Sequence, residues 1–208
     1  MPKMCECPDV SIIIPVFNLE NYIQPMLDSL LAQDLGEYTA EIIIVLNNCT
    51  DDTEGVIRRS GLDCRIITCE TQGCGPARNA GLDIATGKYV WFLDGDDWLM
   101  SDTAVREVLD RAGGDLDVVY VPFASDTYRS QYFSMTPQYL MKREFIDEFR
   151  FPNYQPAEDD AFMDKVLRKA GRNRWNYWFL PHVDRPLYWY NYGRPGSNMM
   201  RHYAGEKI

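Results

Sequence analysis

Three segments, Val10–Pro15, Glu41–Leu46 and Tyr89–Leu93, are apolar almost end to end and rich in Ile, Val and aromatic residues. Runs of that length without polar alternation read as strands buried on both faces, the pattern of a parallel sheet covered by helices. Helical periodicity fills the intervals. Tyr22, Ile23, Met26, Leu27, Leu30 and Leu31 recur at helical spacing, predicting a helix over Leu19–Gln33. Thr50 or Asp51 can cap a second helix that continues to about Ser60. Pro76–Ala85 has Pro near its first turn and Gly87 beyond its end, the usual asymmetry of a helix. Arg65–Cys69 and Asp117–Pro122 read as further strands, and Thr103–Arg111 and Asp160–Ala170, the latter stopped by Gly171, as further helices. Pro137–Phe149 predicts a helix, and Trp175–Tyr192 one or two strands and a loop. Strands alternating with helices imply a mainly parallel central sheet with right-handed crossovers, an α/β fold.

Length bounds the organisation. A chain of 208 residues is long enough for one sizeable domain and short for two. The expectation is a single domain over 1–208, with a ligand-binding half at about 9–100 and a second half at about 101–208. The net charge of −10 argues against a broad nucleic-acid surface, which is usually met by a basic stripe. No apolar run approaches the roughly 20 residues needed to span a bilayer. The segment Met1–Val10 lacks the apolar core of a signal peptide, so the expectation is a cytoplasmic protein with no transmembrane segment. In that setting the six cysteines are expected as reduced thiols.

The chemistry sits where the strands stop. Tyr89–Leu93 runs into Asp94-Gly95-Asp96-Asp97, which puts carboxylates at the carboxyl end of a buried strand. In open α/β sheets that edge is where ligands bind. Carboxylate oxygens suit hard cations such as Mg²⁺ or Mn²⁺, whose shells are commonly completed by substrate phosphates, so the arrangement suggests a metal-bridged diphosphate site. An acidic turn is the plainer alternative. The first strand is followed by Pro15-Val16-Phe17-Asn18. Phe17 there either packs in the core or presents a face for a nucleotide base, a stack contributing about 1–3 kcal/mol. Gly73-Cys74-Gly75 precedes the helix carrying Arg78, and glycines at a helix start allow an anion to approach the backbone.

Taken in order, Pro15-Val16-Phe17-Asn18, Asn47-Asn48-Cys49-Thr50-Asp51-Asp52-Thr53, Ala77-Arg78-Asn79-Ala80-Gly81, Asp94-Gly95-Asp96-Asp97 and Glu158-Asp159-Asp160 resemble the family 2 glycosyltransferases of the GT-A fold. The resemblance covers roughly residues 9–198. It implies a metal-dependent enzyme that moves a sugar, with inversion, from a nucleotide-diphosphate sugar (a UDP-sugar first) to a hydroxyl on a glycan, lipid-linked or other acceptor. By the same resemblance Pro15, Phe17 and Asn47 would contact the base, Arg78 and Arg194 the phosphates, and Asp94 the ribose. Asp96 would hold Mn²⁺ or Mg²⁺, with Asp97 supporting the loop or a metal-bound water. Asp159 would take the acceptor proton, with Glu158 and Asp160 as alternatives. Ser197 would assist Arg194, and His182 is a weaker candidate ligand. Two departures stand out. Phe17 replaces a frequent Tyr, and Leu46-Asn47 replaces two aspartates, so Asn47 both accepts and donates. Two other readings share the acidic strand ends: a non-catalytic nucleotide-sugar-binding module and a sugar-1-phosphate nucleotidyltransferase. The latter would want a Gly-rich basic loop after the first strand, where Pro-Val-Phe-Asn stands.

Overall fold

The structure, a computed structural model, describes residues 7–125, 136–153, 157–172 and 184–191. Arg194, Ser197, His182, Cys5 and most of the predicted Trp175–Tyr192 strands lie outside the described residues.

In chain order the elements are β1 (Val10–Val16), α1 (Gln24–Leu31), β2 (Ala40–Asn47), α2 (Thr53–Ser60), β3 (Arg65–Cys69), α3 (Cys74–Ile84), β4 (Tyr89–Phe92) and β5 (Trp98–Leu99). They continue with α4 (Ala104–Ala112), β6 (Val118–Tyr120), β7 (Phe123–Ala124), β8 (Tyr139–Lys142), α5 (Arg143–Ile146), α6 (Glu158–Lys169) and β9 (Tyr188–Trp189). Six strands form one sheet in the order β3-β2-β1-β4-β8-β6, and β5-β9-β7 form a small second sheet. From β3 to β4 every neighbour pair is parallel; β8 is antiparallel to both β4 and β6. The mainly parallel α/β expectation therefore holds for the half that carries β1, β2 and β4.

The double burial follows from period-two alternation. Ile12 and Ile14 point into a layer with Met26, Leu27 and Leu30 of α1 and Val105 and Val108 of α4. Ile13 points the other way, against Ala77 of α3 and Phe162 and Val166 of α6. One polar residue interrupts β1. The Ser11 hydroxyl donates to Glu41 Oε1 at 2.6 Å and accepts from Gly87 N at 2.8 Å, so its burial leaves no group unsatisfied. A Cβ on Gly87 would lie 2.5 Å from Ser11 N, a backbone atom of the central strand that has nowhere to move. Gly87→Ala should therefore cost about 1–3 kcal/mol in urea unfolding. A midpoint equal to that of the parent would contradict this packing.

Two predicted helices are corrected. The helix expected over Leu19–Gln33 begins at Gln24, with Pro25 in its first turn. A proline tolerated there lacks the N–H that an interior position must donate, so Leu19–Ile23 form turns instead. The helix expected over Pro137–Phe149 is a 3₁₀ turn (Thr136–Gln138), the strand β8 and the short α5. Tyr139, Leu140 and Met141 gain more by pairing between β4 and β6, where all three are fully buried, than by their local helical period.

Candidate active site

Because β1, β2 and β4 are adjacent and parallel, their carboxyl ends open onto one edge. The backbone there is unusual. Among the described residues, three that are not glycine have positive φ, and each sits at this edge: Asn18 after β1 (50°), Asn48 after β2 (54°) and Ala157 before α6 (83°). Asn tolerates the left-handed region through local hydrogen bonds; Ala does so only at a cost. Asn18 is locked by Thr50, whose N–H donates to Asn18 Oδ1 at 2.8 Å and whose hydroxyl accepts from Asn18 Nδ2 at 3.1 Å. That lock leaves the neighbouring Phe17 ring 39% exposed rather than in the core.

Asn47 is buried and fully engaged. Its Nδ2 donates to Cys69 O at 3.1 Å and Thr71 O at 2.7 Å, and its Oδ1 accepts from Gly73 N at 2.9 Å. The carboxamide thus fixes the loop that leads into α3. Its two donors are spent, and one acceptor lone pair remains.

Arg78, the expected phosphate contact, stands in a buried ion-pair network. Its guanidinium, 4% exposed, donates from Nη2 to Asp94 Oδ1 at 2.8 Å and from Nη1 to Glu158 Oε1 at 3.0 Å. A buried guanidinium holds its charge only beside compensating carboxylates, and the chain places one at the end of β4 and one at the start of α6. The Arg78 Nε is buried without a hydrogen-bond partner, so burial rather than a lack of donors is what keeps the guanidinium from a direct contact at the surface. Asn79 acts beside it. Phe151 N donates to Asn79 Oδ1 and Asn79 Nδ2 donates to Phe151 O, both at 2.9 Å, clamping the segment that approaches α6. Sequence reasoning gave Asn79 no role, although it stands within the Ala-Arg-Asn-Ala-Gly motif.

Three carboxylates close the β4 end. Asp94 is paired with Arg78. Asp97 is buried and accepts from the Tyr188 hydroxyl and from Asn191 N, tying the acidic turn to β9. Asp97 therefore holds the acidic turn against the segment of β9. Asp96 lies half-buried between them, and its main-chain O accepts from Asn191 Nδ2 at 3.1 Å. Across the edge, Asp159 occupies the first turn of α6, and its Oδ1 accepts from Asp160 N at 2.9 Å. Burial pushes the Asp159 carboxyl up to about 6; Arg78 opposes the rise, while Glu158, Asp160 and Asp94 add to it. Asp97 is raised well above the usual carboxylate range by burial and by the charges of Asp96 and Asp94. Tyr190 is raised too, first by burial and then by Asp94, Asp97, Asp96 and Asp159. Arg78 links the two groups geometrically, pairing with Asp94 at the β4 end and with Glu158, the neighbour of Asp159, on α6. The Cys74 thiol is pushed up to about 12, chiefly by burial, so it stays protonated and is no nucleophile. None of the described cysteines forms a disulfide.

Among the described residues no group of three His, Cys, Asp or Glu side chains is arranged to hold a metal alone. The donor set nevertheless suits a shared cation. Asp94 and Asp96 stand beside Asp97, whose titration they raise, and carboxylate oxygen is what Mg²⁺ and Mn²⁺ prefer when phosphates complete the shell.

The pattern of the family described as Glycosyl transferase family 2 matches residues 11–178. The chain belongs to the family 2 glycosyltransferases. Among curated relatives, the putative glycosyltransferase EpsH of Bacillus subtilis is 35% identical over 124 residues, which cover 58% of this chain and 35% of that protein. The chain thus spans about a third of that relative's length. Among solved structures, Staphylococcus aureus TarS 1–349 in complex with UDP-GlcNAc is similar with a TM-score of 0.80 and 24% identity, over 92% of this chain and 60% of that one. The mannosyltransferase PcManGT from Pyrobaculum calidifontis, in complex with GDP-Man and Mn²⁺, is similar with a TM-score of 0.70 and 20% identity, over 95% of this chain and 61% of that one. These likenesses show the GT-A fold. No helix among the described residues is long and apolar enough to cross a membrane.

Proposed function

We propose that this chain transfers a sugar from a nucleotide-diphosphate sugar, a UDP-sugar first, to an acceptor hydroxyl with inversion at the anomeric carbon. One observation carries the reading: Arg78 pairs with Asp94 at the end of β4 and with Glu158 beside Asp159 on α6, and the exposed Phe17 follows β1 on the same sheet edge. The titration of Asp159 near 6 suits a general base, which works best when its pKa lies close to the operating pH. In the step proposed, the Asp159 carboxylate accepts the acceptor's hydroxyl proton as that oxygen bonds to the anomeric carbon. The bond from that carbon to the diphosphate oxygen breaks, and its electron pair leaves with the nucleoside diphosphate. Glu158, engaged by Arg78, is a poorer base, which leaves the role to Asp159.

Asp96 would hold a divalent cation, which when bound supplies Lewis-acid neutralisation of charge on the departing diphosphate. Asp94, its outer face half-exposed, would meet the ribose, and Pro15 and Phe17 the base. In this proposal Arg78 acts on the diphosphate through the field of its charge, while Arg194 remains the candidate for direct phosphate contact. Since both donors of Asn47 are spent, the one polar interaction it can offer a base is to accept a hydrogen bond, which fits an imino N–H such as that of uracil. UDP should therefore bind more tightly than CDP by about tenfold, the value of one good hydrogen bond. Equal affinities would remove Asn47 from base selection. The nucleotide sugars in complex with similar proteins, UDP-GlcNAc with TarS and GDP-Man with PcManGT, support a nucleotide-sugar donor. A glycan, lipid-linked or other hydroxyl-bearing acceptor is proposed on the same footing.

The test is calorimetric. UDP affinity should rise with Mn²⁺ in the parent, and Asp96→Asn should lose that gain by at least about tenfold, since even outer-shell changes cost 10–100-fold. Affinity that is the same with Mn²⁺ and with chelator in both proteins would take the cation away from Asp96.

A further inference from the structure

We propose that Glu158 is a positioning residue: through Arg78 it ties the first turn of α6 to Asp94, setting where Asp159 stands relative to the acidic end of β4. The inference rests on the reading of Asp159 as general base. Side-chain capping does not fix where the helix starts. Its N-cap residue, Ala157, makes no side-chain capping bond and has φ 83°, so the favourable dipole contact of Glu158, Asp159 and Asp160 in the first turn is set against a strained cap. Backbone strain of this kind persists only where the surroundings hold it. Tertiary contacts from α3 supply the hold. Arg78 reaches Glu158 Oε1 at 3.0 Å, Asn79 clamps Phe151 by two hydrogen bonds, and Gly75 admits the chain so closely that a Cβ there would lie 2.5 Å from Pro152 O and 3.4 Å from Glu158 Cγ. The Arg78 guanidinium also sits 5.4 Å from the centroid of the Phe151 ring, which stacks on Phe162 of α6 at 3.9 Å.

Arg78 is the joint of this assembly. Its two ion pairs run to different elements, Asp94 after β4 and Glu158 on α6, and its side chain is 5% exposed. A rigid fork with fixed donor directions transmits position as well as charge. Moving Glu158 therefore moves the donor-side acid and the base relative to each other. A displacement of about 1 Å in a catalytic constellation costs on the order of 100-fold in rate.

The experiment compares Glu158→Ala and Glu158→Gln in the full chain. Hydrogen exchange is read at Ala161, Phe162 and Met163, the first amides bonded within α6, and steady-state transfer is read alongside. In Glu158→Ala, protection of these amides should fall at least about tenfold while α3 keeps its own, and kcat should fall while KM for donor stays within about twofold, the split expected when orientation rather than binding is lost. Glu158→Gln keeps an acceptor for Arg78 and should recover most of the protection and part of kcat; it also carries the test should Glu158→Ala fail to fold. Both variants keeping parental protection and kcat would overturn the proposal. So would a uniform loss of protection across the fold with no rescue by Gln. If the parent itself transfers no sugar, the reading of Asp159 as base fails, and the positioning of α6 is still decided by the exchange of its first turn.

Discussion

Replacing Asp159 by Asn should lower transfer by about 10²–10⁴-fold, the contribution of a positioned general base, while leaving the affinity for nucleoside diphosphate unchanged. The carboxamide keeps the shape of the side chain and an oxygen for Asp160 N, but it cannot accept the acceptor's proton. The parent's pH profile should carry the same signature. A base must be ionised, so kcat should be flat above the Asp159 titration near 6 and fall as pH drops through it. Stability should run the other way. The folded pKa of Asp159 is raised above its ordinary 3.8, so its contribution is fully present below that value and is lost as pH rises through about 6. Asp159→Asn should consequently melt higher than the parent at neutral pH, with the gap closing in acid. Substantial transfer by this variant, with product of the usual configuration, would remove Asp159 from the chemistry.

Replacing Arg78 by Met should be the most destabilising change at the site. It leaves Glu158 buried and Asp94 partly buried as neighbouring carboxylates with their shared cation gone. Breaking a buried ion pair by removing one partner costs about 3–5 kcal/mol, toward the lower end here because Asp94 keeps some solvent. The penalty is electrostatic, so it should shrink as pH falls toward about 4, where carboxylates protonate. Adding Glu158→Gln to Arg78→Met should recover part of the loss, because one of the two stranded charges is then removed. Urea unfolding at neutral and acid pH measures all three quantities. A loss that is independent of pH and unrelieved by Glu158→Gln would mean that Arg78 acts by packing on Phe151 rather than by charge.

Much of the architecture around β1, β2 and β4 was legible in the chain because it is written locally. The Ile-rich run of β1 alternates Ile12, Ile13 and Ile14 between two layers, and such a strand has no other stable setting. The acids after Tyr89–Leu93 fall at the sheet edge because β4 must end there. What was not legible depends on partners distant in sequence. β8 looked helical because four residues cannot separate the two periods, and only pairing with β4 and β6 decides them. The two-residue strands β5, β7 and β9 have no sequence signature of their own. They exist because Asp97 accepts from Tyr188 and Trp98 stacks on Trp189 at 5.4 Å. Arg78 and Asn47 stand out in the sequence as polar groups within motifs, but which of their bonds were already taken could not be seen. Asn47 spends its donors on Cys69 and Thr71, and Arg78 spends its fork on acids 16 and 80 residues away.

The most direct measurement is anomalous diffraction at the manganese edge from crystals holding Mn²⁺ and a UDP-sugar. The account requires a manganese peak beside Asp96, shared with the diphosphate, the base against Phe17, and the anomeric carbon facing Asp159 from the side opposite the leaving oxygen. Nucleotide bound away from the ends of β1, β2 and β4, or manganese seated elsewhere while the sugar is in place, would contradict it.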